Sequence, residues 1–580
     1  MRKFIARRAL THDGNIDWPN DLHPILRRVY SHRQIQSPSE LDYSLSQLLP
    51  FHLLKDIDKA VALLAQTIQA QENIIIIGDF DADGATSTTL ALKVLRQLGA
   101  KHVDFKVPNR FKFGYGLTPE IVKETLTLNP KLIITVDNGI SSIEGVRLAR
   151  ELGIDVLVTD HHLPGQQLPD ANAIVNPNQV GDEFPSKHLA GVGVVFYVMM
   201  ALRHHFRSIG WFEQTSINEP NLAQMLDIVA LGTVADVVPL DRNNRILVNQ
   251  GIKRIRAGKC CAGIQALLEI SNRSWQQLTS ADLAFALGPR LNAAGRLEDM
   301  SIGIACLMAE TPPEARMLAQ QLDSLNSERK EIEADMQRQA LSALTAMDAC
   351  AKSTLPFGLC LYEPTWHQGV VGILASRVKD KYHRPVIAFA DSDNDEIKGS
   401  ARSIPGIHIR DVLDTIATKH SGLLAKFGGH AMAAGLTIQR ADLPQFTEAF
   451  NHEITSQLTN DDLISTIASD GELTDGELTL EVAQCIRNGG PWGQAFPEPL
   501  FDGHFHVVNQ RILADKHLKL VLKYPESNKN YDAIAFNMTS KLAEENTTLE
   551  GQQINMAYKL DINEYRGQKK VQLILEYIDN

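Results

Sequence analysis

Cysteine is scarce and unpaired in this sequence. The six residues, Cys260, Cys261, Cys306, Cys350, Cys360 and Cys485, form no C-x-x-C motif and stand beside no histidine at zinc-finger spacing. That excludes a disulfide scaffold and a structural zinc site, and leaves small buried hydrophobes in a reducing compartment. No run reaches the roughly 18 apolar residues that a membrane-spanning helix needs. The start, Met1 to Gly14, is basic but lacks an apolar core, which argues against a secretory leader and leads us to expect a cytoplasmic protein with no membrane contact. G-x-x-x-x-G-K-[ST], G-x-S-x-G and H-E-x-x-H are all missing, so P-loop ATP hydrolysis, serine-hydrolase chemistry and zincin proteolysis are not expected. There is no excess of positive charge either. Lys+Arg is 57 against 69 Asp+Glu, a net charge of −12, which excludes indiscriminate coating of nucleic acid but allows a local basic groove.

What is present is ordinary globular sequence, 44% hydrophobic and 22% charged. At 580 residues it exceeds the roughly 250–300 that one core holds, so several domains are expected. Residues 1–45 read as a mixed lead-in. From 46 to 310, short apolar runs (Asn73–Ile77, Leu132–Val136, Val156–Thr159) alternate with amphipathic helical stretches (Leu53–Gln71, Thr86–Leu98, Ser142–Leu152). That alternation means βαβ units and a parallel sheet. Thr311-Pro-Pro313 breaks the pattern and opens a charged connecting helix across 311–350. Residues 351–455 repeat the α/β texture, and 456–490 read as a polar linker. From 491 to 580 five short alternating strands with polar turns point to an OB-type β-barrel, a common nucleic-acid platform.

The strongest chemical signal is Ile77-Gly-Asp79-Phe-Asp81-Ala-Asp83-Gly84, directly after a buried strand. Three carboxylates within five residues repel one another unless cations neutralise them, and hard divalent cations take oxygen ligands. The plain alternative is an Asx-rich turn with Asp83 capping the next helix. Two further strands end in Asp137-Asn-Gly139 and Asp160-His161-His162. Parallel strands share one C-terminal edge, where ligands bind, so three acidic clusters converge there. Taken singly, the second is a good turn and the third a surface histidine pair. Imidazole beside carboxylate suits a borderline ion such as Mn²⁺. A fourth acid, Asp236, lies in an apolar stretch where an unpaired charge is expensive, a helix cap being the alternative.

Gly78-Asp-Phe-Asp-Ala-Asp-Gly84 together with Asp160-His161-His162 resembles the DHH phosphoesterase superfamily, and within it the bacterial RecJ-type single-strand-specific 5′→3′ DNA exonucleases. The resemblance extends over nearly the whole chain. Leu287-Gly-Pro-Arg290-Leu-Asn292-Ala-Ala-Gly-Arg296-Leu297 resembles a further family motif. Lys398-Gly-Ser400-Ala-Arg402-Ser403 and Gly428-Gly-His430-Ala-Met-Ala-Ala-Gly435 resemble the DHH-associated second domain. The resemblance implies a DHH domain, a DHHA1 domain and an OB barrel. It implies two Mn²⁺ or Mg²⁺ ions held by Asp79, Asp81, Asp83, Asp137, His161, His162 and Asp236, with Asp160, His161 and His162 catalytic and Asp160 orienting a histidine. Many superfamily members carry His at the position of Ile77, which cannot ligate a metal; Asp79 is the candidate to fill that place. Expected substrate contacts are Arg110, Tyr115, Arg290, Asn292, Arg296, Ser400, Arg402, Gly429 and His430. Gly428-Gly429 lets backbone amides approach an anion, His430 and Arg402 can donate to phosphate, and Arg110 and Tyr115 mix cation with aromatic ring. The bland alternatives are a structural glycine turn and a plain surface loop. The activity implied is hydrolysis of single-stranded DNA to mononucleotides in recombination and repair, with single-strand-binding protein and a helicase as partners. Superfamily enzymes acting on pyrophosphate, short oligonucleotides or cyclic dinucleotides are the alternative, and a binding protein with a dead metal site is a second.

Overall fold

Four consecutive isoleucines, Ile74–Ile77, fit only a strand covered on both faces, and all four are buried. They form the second strand of a five-stranded, wholly parallel sheet in the computed structural model, which describes residues 3–9, 16–109, 115–350, 355–514, 516–525, 527–536, 538, 548–565 and 567–579. The spatial order is Val103–Lys106, Ile74–Ile77, Leu132–Val136, Asp155–Thr159, Ala173–Val175. Side chains alternate between the faces. Ile75 and Ile77 join a core with Ile121, Val122 and Val146 from the helices Pro119–Thr125 and Ile143–Glu151. Ile74 and Ile76 join the larger core built on Ile57–Gln69, Ala82–Gln97 and Gly191–Ser208. The chain leaves the central strand pair first to one side and then to the other. The strand ends at Ile77 and Val136 therefore flank a topological switch point, where α/β sheets bind ligands.

The expected connecting helix is a single 39-residue helix, Pro312–Cys350. Beyond it a second sheet runs Lys426–Gly429, Ala433–Gln439, Glu396–Arg402, Val386–Asp391, Leu359–Tyr362, antiparallel except for its last pair. The third unit is a closed five-stranded barrel, Phe501–Leu513, His517–Lys523, Asn530–Ala535, Gln568–Asp579 and Gln553–Tyr565, in which Asn530–Ala535 and Gln568–Asp579 pair in parallel. The fold is thus α/β, α/β and barrel, as the alternation of apolar runs indicates. Among the described residues no helix is long and apolar enough to cross a membrane.

Two segments differ from their sequence reading. The lead-in carries a strand, Lys3–Arg7, and a helix, Pro24–His32. The stretch 456–490 carries a strand, Ser465–Ser469, and a helix, Leu480–Asn488. The two strands pair in parallel with each other, so neither segment shows its structure without a partner about 460 residues away. Asp470 fastens the junction. Its side chain is fully buried and accepts from both Nη atoms of Arg33, approaches Arg8 and His32, and accepts from the Leu500 amide that leads into the barrel. Burial raises its carboxyl, but the hydrogen bonds and charge of Arg33, with the Leu500 amide and His32, together outweigh burial and hold it below the usual range. Replacing Asp470 by Ala leaves the Arg33 and Arg8 guanidiniums facing each other without their counter-charge and should cost about 3–5 kcal/mol. Thermal unfolding measures the loss; a wild-type transition in that variant would show that Asp470 does not fasten the lead-in to the barrel.

Candidate metal centre

Each acidic cluster sits where its strand ends. Asp79 and Asp81 follow the Ile74–Ile77 strand, and Asp81 caps the helix Ala82–Gln97 by accepting from the Gly84 amide at 3.0 Å. The cap is therefore Asp81, and Asp83 stands free to turn inward. Its two oxygens accept from the Gly191 and Val192 amides at 2.6 and 3.0 Å, at the N-terminus of Gly191–Ser208. Gly191 has to lack a side chain, because a Cβ there would stand 2.6 Å from the Cβ of Asp137. Asp137 ends its strand in a left-handed conformation, φ 61°. Asp236 closes the helix Leu226–Ala235.

Three overlapping sets of ligand atoms result, each within 4.8 Å: Asp79, Asp81 and Asp137; Asp83, His161 and Asp236; Asp137, His161 and His162. His161 Nε2 lies 3.1 Å from Asp137 Oδ1 and 3.4 Å from Asp236 Oδ2. Yet Asp137 Oδ1 and His161 Nε2 are both buried without a hydrogen-bond partner. Buried donors and acceptors of this kind need a ligand, and carboxylate oxygens with imidazole nitrogen suit Mn²⁺ or Mg²⁺. Asp160 plays another part. It accepts from the amides of Ile140, His161 and His162 and from His162 Nδ1 at 2.7 Å, so it orients the histidine pair. Ile77 keeps its side chain in the core, and its carbonyl accepts from Asn138.

Comparison with known proteins agrees with this geometry. Residues 73–233 match the DHH family N-terminal domain, 356–456 the DHHA1 domain and 469–577 the RecJ OB domain. The single-stranded-DNA-specific exonuclease RecJ of Escherichia coli is 52% identical over 578 residues, covering 100% of both chains. The chain belongs to the RecJ family. The exonuclease of that name from Bacillus subtilis is 35% identical over 91% of this chain and 64% of its own length. The crystal structure of RecJ with Mn²⁺ from Thermus thermophilus superposes with a TM-score of 0.78 at 28% identity, over 96% of this chain and 76% of that one. A second structure of that protein is a complex with Mg²⁺.

Burial and repulsion leave their mark on the acids. The Asp83 carboxyl is pushed up to about 7, first by burial and then by Asp236; Asp236 rises to about 8, first by burial and then by Asp81. Asp137 is also raised well above the usual range, by burial and then by Asp83. Burial pushes the His161 imidazole down. Burial opposes ionisation of His162 too, but the hydrogen bond and charge of Asp160, with the charges of Asp236 and Asp79, together override it and lift the imidazole to about 9.

Among the expected substrate contacts, the structure places Ser400, Arg402, Gly429 and His430 together on adjoining strands and a hairpin of the second sheet, and ties others into the scaffold. His430 stacks on His162, with ring centroids 5.9 Å apart and planes 17° apart. Arg402 Nη1 donates to Ser400 Oγ at 3.0 Å and to the Ala401 carbonyl, and among the described residues Arg402 pairs with no carboxylate. A Cβ on Gly429, at φ 146°, would meet the Ala433 carbonyl at 2.4 Å, so the hairpin requires glycine there. Tyr115 lies against the centre, its hydroxyl 3.3 Å from His162 Nδ1 and donating to the Asp137 carbonyl. Asn292 Oδ1 accepts from the Ala82 amide and so positions the acidic turn. Arg290 is committed elsewhere, to Asp323 and the Ala286 carbonyl, and Arg296 to the Gly369 carbonyl of the second domain. Their charges face protein acceptors, which a motif cannot reveal. Arg110 lies outside the described residues.

Sequence reasoning missed three asparagines. Asn138 Nδ2 bridges the carbonyls of Ile77 and Val136 across the switch point, while Asn176 and Asn178 donate to the His162 and His161 carbonyls. The signal was Asn176-Pro-Asn178-Gln179 directly after the short strand Ala173–Val175, a fourth polar strand end on the same edge.

The pH dependence follows. A carboxyl near 7 or 8 in the fold and near 4 when unfolded is protonated only in the native state across that window, so metal-free stability falls as pH rises through it. A cation displaces those protons and should stabilise more at about pH 8 than at about pH 6. Thermal unfolding with chelator and with saturating Mn²⁺ checks this; an equal metal increment at both values would contradict it.

Proposed function

We propose that the chain is a divalent-metal-dependent exonuclease that degrades single-stranded DNA from its 5′ end to mononucleotides. The observation that carries the reading is the meeting of two unlike walls, the carboxylate and imidazole cluster on one side and an uncompensated Arg402 with Ser400, Gly429 and His430 on the other, in contact through His162 and His430.

Two divalent cations among Asp79, Asp81, Asp83, Asp137, His161 and Asp236 supply, when bound, neutralisation of the scissile phosphodiester and a lowered pKa for water. The chain's own residues do the rest. Asp160 takes the Nδ1 proton of His162 in a hydrogen bond and leaves Nε2 as the working atom of that ring. Arg402 and Ser400 offer hydrogen bonds to a terminal phosphate, which brings the anion that Arg402 lacks. Tyr115, 41% exposed beside the centre, offers an aromatic face to a base. The barrel extends the track for a long strand. Family resemblance supports a place in DNA recombination and repair in the cytoplasm, with single-strand-binding protein and a helicase as partners.

Mn²⁺ with labelled long single strands, duplex, a dinucleotide and pyrophosphate tests the substrate class. Long single strands should be consumed fastest, a blocked 5′ end should stop digestion and a blocked 3′ end should not. Digestion past a blocked 5′ end would overturn the polarity, and preference for pyrophosphate or the dinucleotide would overturn the substrate. Asp137→Asn should abolish hydrolysis with the fold intact by circular dichroism.

Arg402→Ala should lower kcat/KM roughly ten- to a hundred-fold, the equivalent of one charge-assisted hydrogen bond. The loss should be larger on 5′-phosphorylated than on 5′-hydroxyl strands. Equal losses on both would remove Arg402 from the phosphate pocket.

A further inference from the structure

Phe285 is the most exposed large apolar side chain among the described residues, at 82%. It stands on a single π-helical turn, Leu283–Leu287, closed by the Gly288 amide donating to the Leu283 carbonyl. Leu283, Ala286 and Leu287 are buried. The widened turn, with its poorer hydrogen bonding, keeps them in the core and leaves the phenyl ring outside; such turns concentrate at functional sites.

Val237 is 61% exposed and holds φ 62°, a conformation that a β-branched residue adopts only when its surroundings impose it. It directly follows Asp236. Both residues lie close to one contact point. A Cβ on Gly288 would stand 3.2 Å from the Cβ of Ala235; Phe285 precedes Gly288 by about one turn, and Val237 follows Ala235 by two residues. The π turn that carries Phe285 therefore runs into the segment that packs on the end of the helix supplying Asp236, the residue that Val237 follows.

We propose that Phe285, with Val237 beside it, forms an apolar lip on which an unpaired base of the incoming strand stacks while its phosphate enters the centre. The lip rests on the exonuclease reading above and names a residue that helps this chain choose single strands. A nucleobase is the favoured occupant because Val237 directly follows Asp236, one of the metal-site acids, and every phosphate that reaches those acids carries a base. Stacking on an aromatic face needs no particular sequence but does need an uncovered base face, which a duplex withholds.

The experiment uses the full chain with Mn²⁺ and compares wild type, Phe285→Ala and Phe285→Tyr on single strands, intact or carrying one abasic residue walked inward from the 5′ end. Phe285→Ala should raise KM about ten-fold with kcat nearly unchanged, and Phe285→Tyr should behave as wild type. Wild type should lose a similar factor at one abasic position, and Phe285→Ala should be indifferent to that position. The ring touches little core, so thermal unfolding of the variant should match wild type. A wild-type chain inert on single strands would overturn the exonuclease reading and the lip with it. An active wild type whose Phe285→Ala variant keeps its KM and its abasic profile would overturn the lip alone. A change in sedimentation without a change in KM would assign the face to a protein partner instead.

Discussion

The molecule is organised around a repulsion. Asp79, Asp83 and Asp137 are buried beside Asp81 and Asp236, and five carboxylates gathered so closely repel one another. In a low-dielectric site such a cluster persists only as carboxylic acid or as a cation's cage. The rest of the first domain works to hold the acids there. A parallel sheet is needed because only parallel strands deliver their ends to one edge. Helix Gly191–Ser208 points its N-terminus at Asp83, so backbone amides and the helix dipole stabilise the charge that burial penalises. Gly191 and the left-handed Asp137 bring two chain segments closer than side chains would permit. Asp160, Asn176 and Asn178 fix the turn that carries both histidines, and Asn138 ties the Ile77 and Val136 strand ends together.

How much of this could be read in advance depended on whether the cause was local. Ile74–Ile77 is a strand for reasons contained in four residues, and the acids that follow are visible at once. Their convergence also needed only the parallel topology. The cap could not be chosen, because Asp81 and Asp83 are equally good caps in isolation; the amides of Gly191 and Val192, over a hundred residues away, decide it by engaging Asp83. Arg290 and Arg296 show the same limit. A cation in a motif reads as a phosphate contact, and the fold gives Arg290 and Arg296 protein acceptors, Asp323 and the Gly369 carbonyl, that no motif shows. The lead-in strand Lys3–Arg7 has no period long enough to notice, since its partner is Ser465–Ser469.

The two walls face each other because one helix measures the distance between them. Arg290 of the first domain grips Asp323, and Arg377 of the second grips Glu333, which is itself held by Arg329 inside the same helix. Ten residues separate the two anchor points on Pro312–Cys350, about 15 Å at 1.5 Å per residue. A helix with an anchor near each end of that span acts as a fixed spacer, and Arg296 adds a direct bond to Gly369 across the same gap. The spacer carries a division of chemistry that one domain could not easily sustain. Arg402 packed among the acids would form ion pairs with them and be spent as a counter-charge. Held on a separate sheet, it pairs with no carboxylate among the described residues and donates to Ser400 Oγ and the Ala401 carbonyl instead. The contact of His162 with His430 marks how closely the two surfaces approach, with the Arg402 strand on one side and the acid and imidazole cluster on the other.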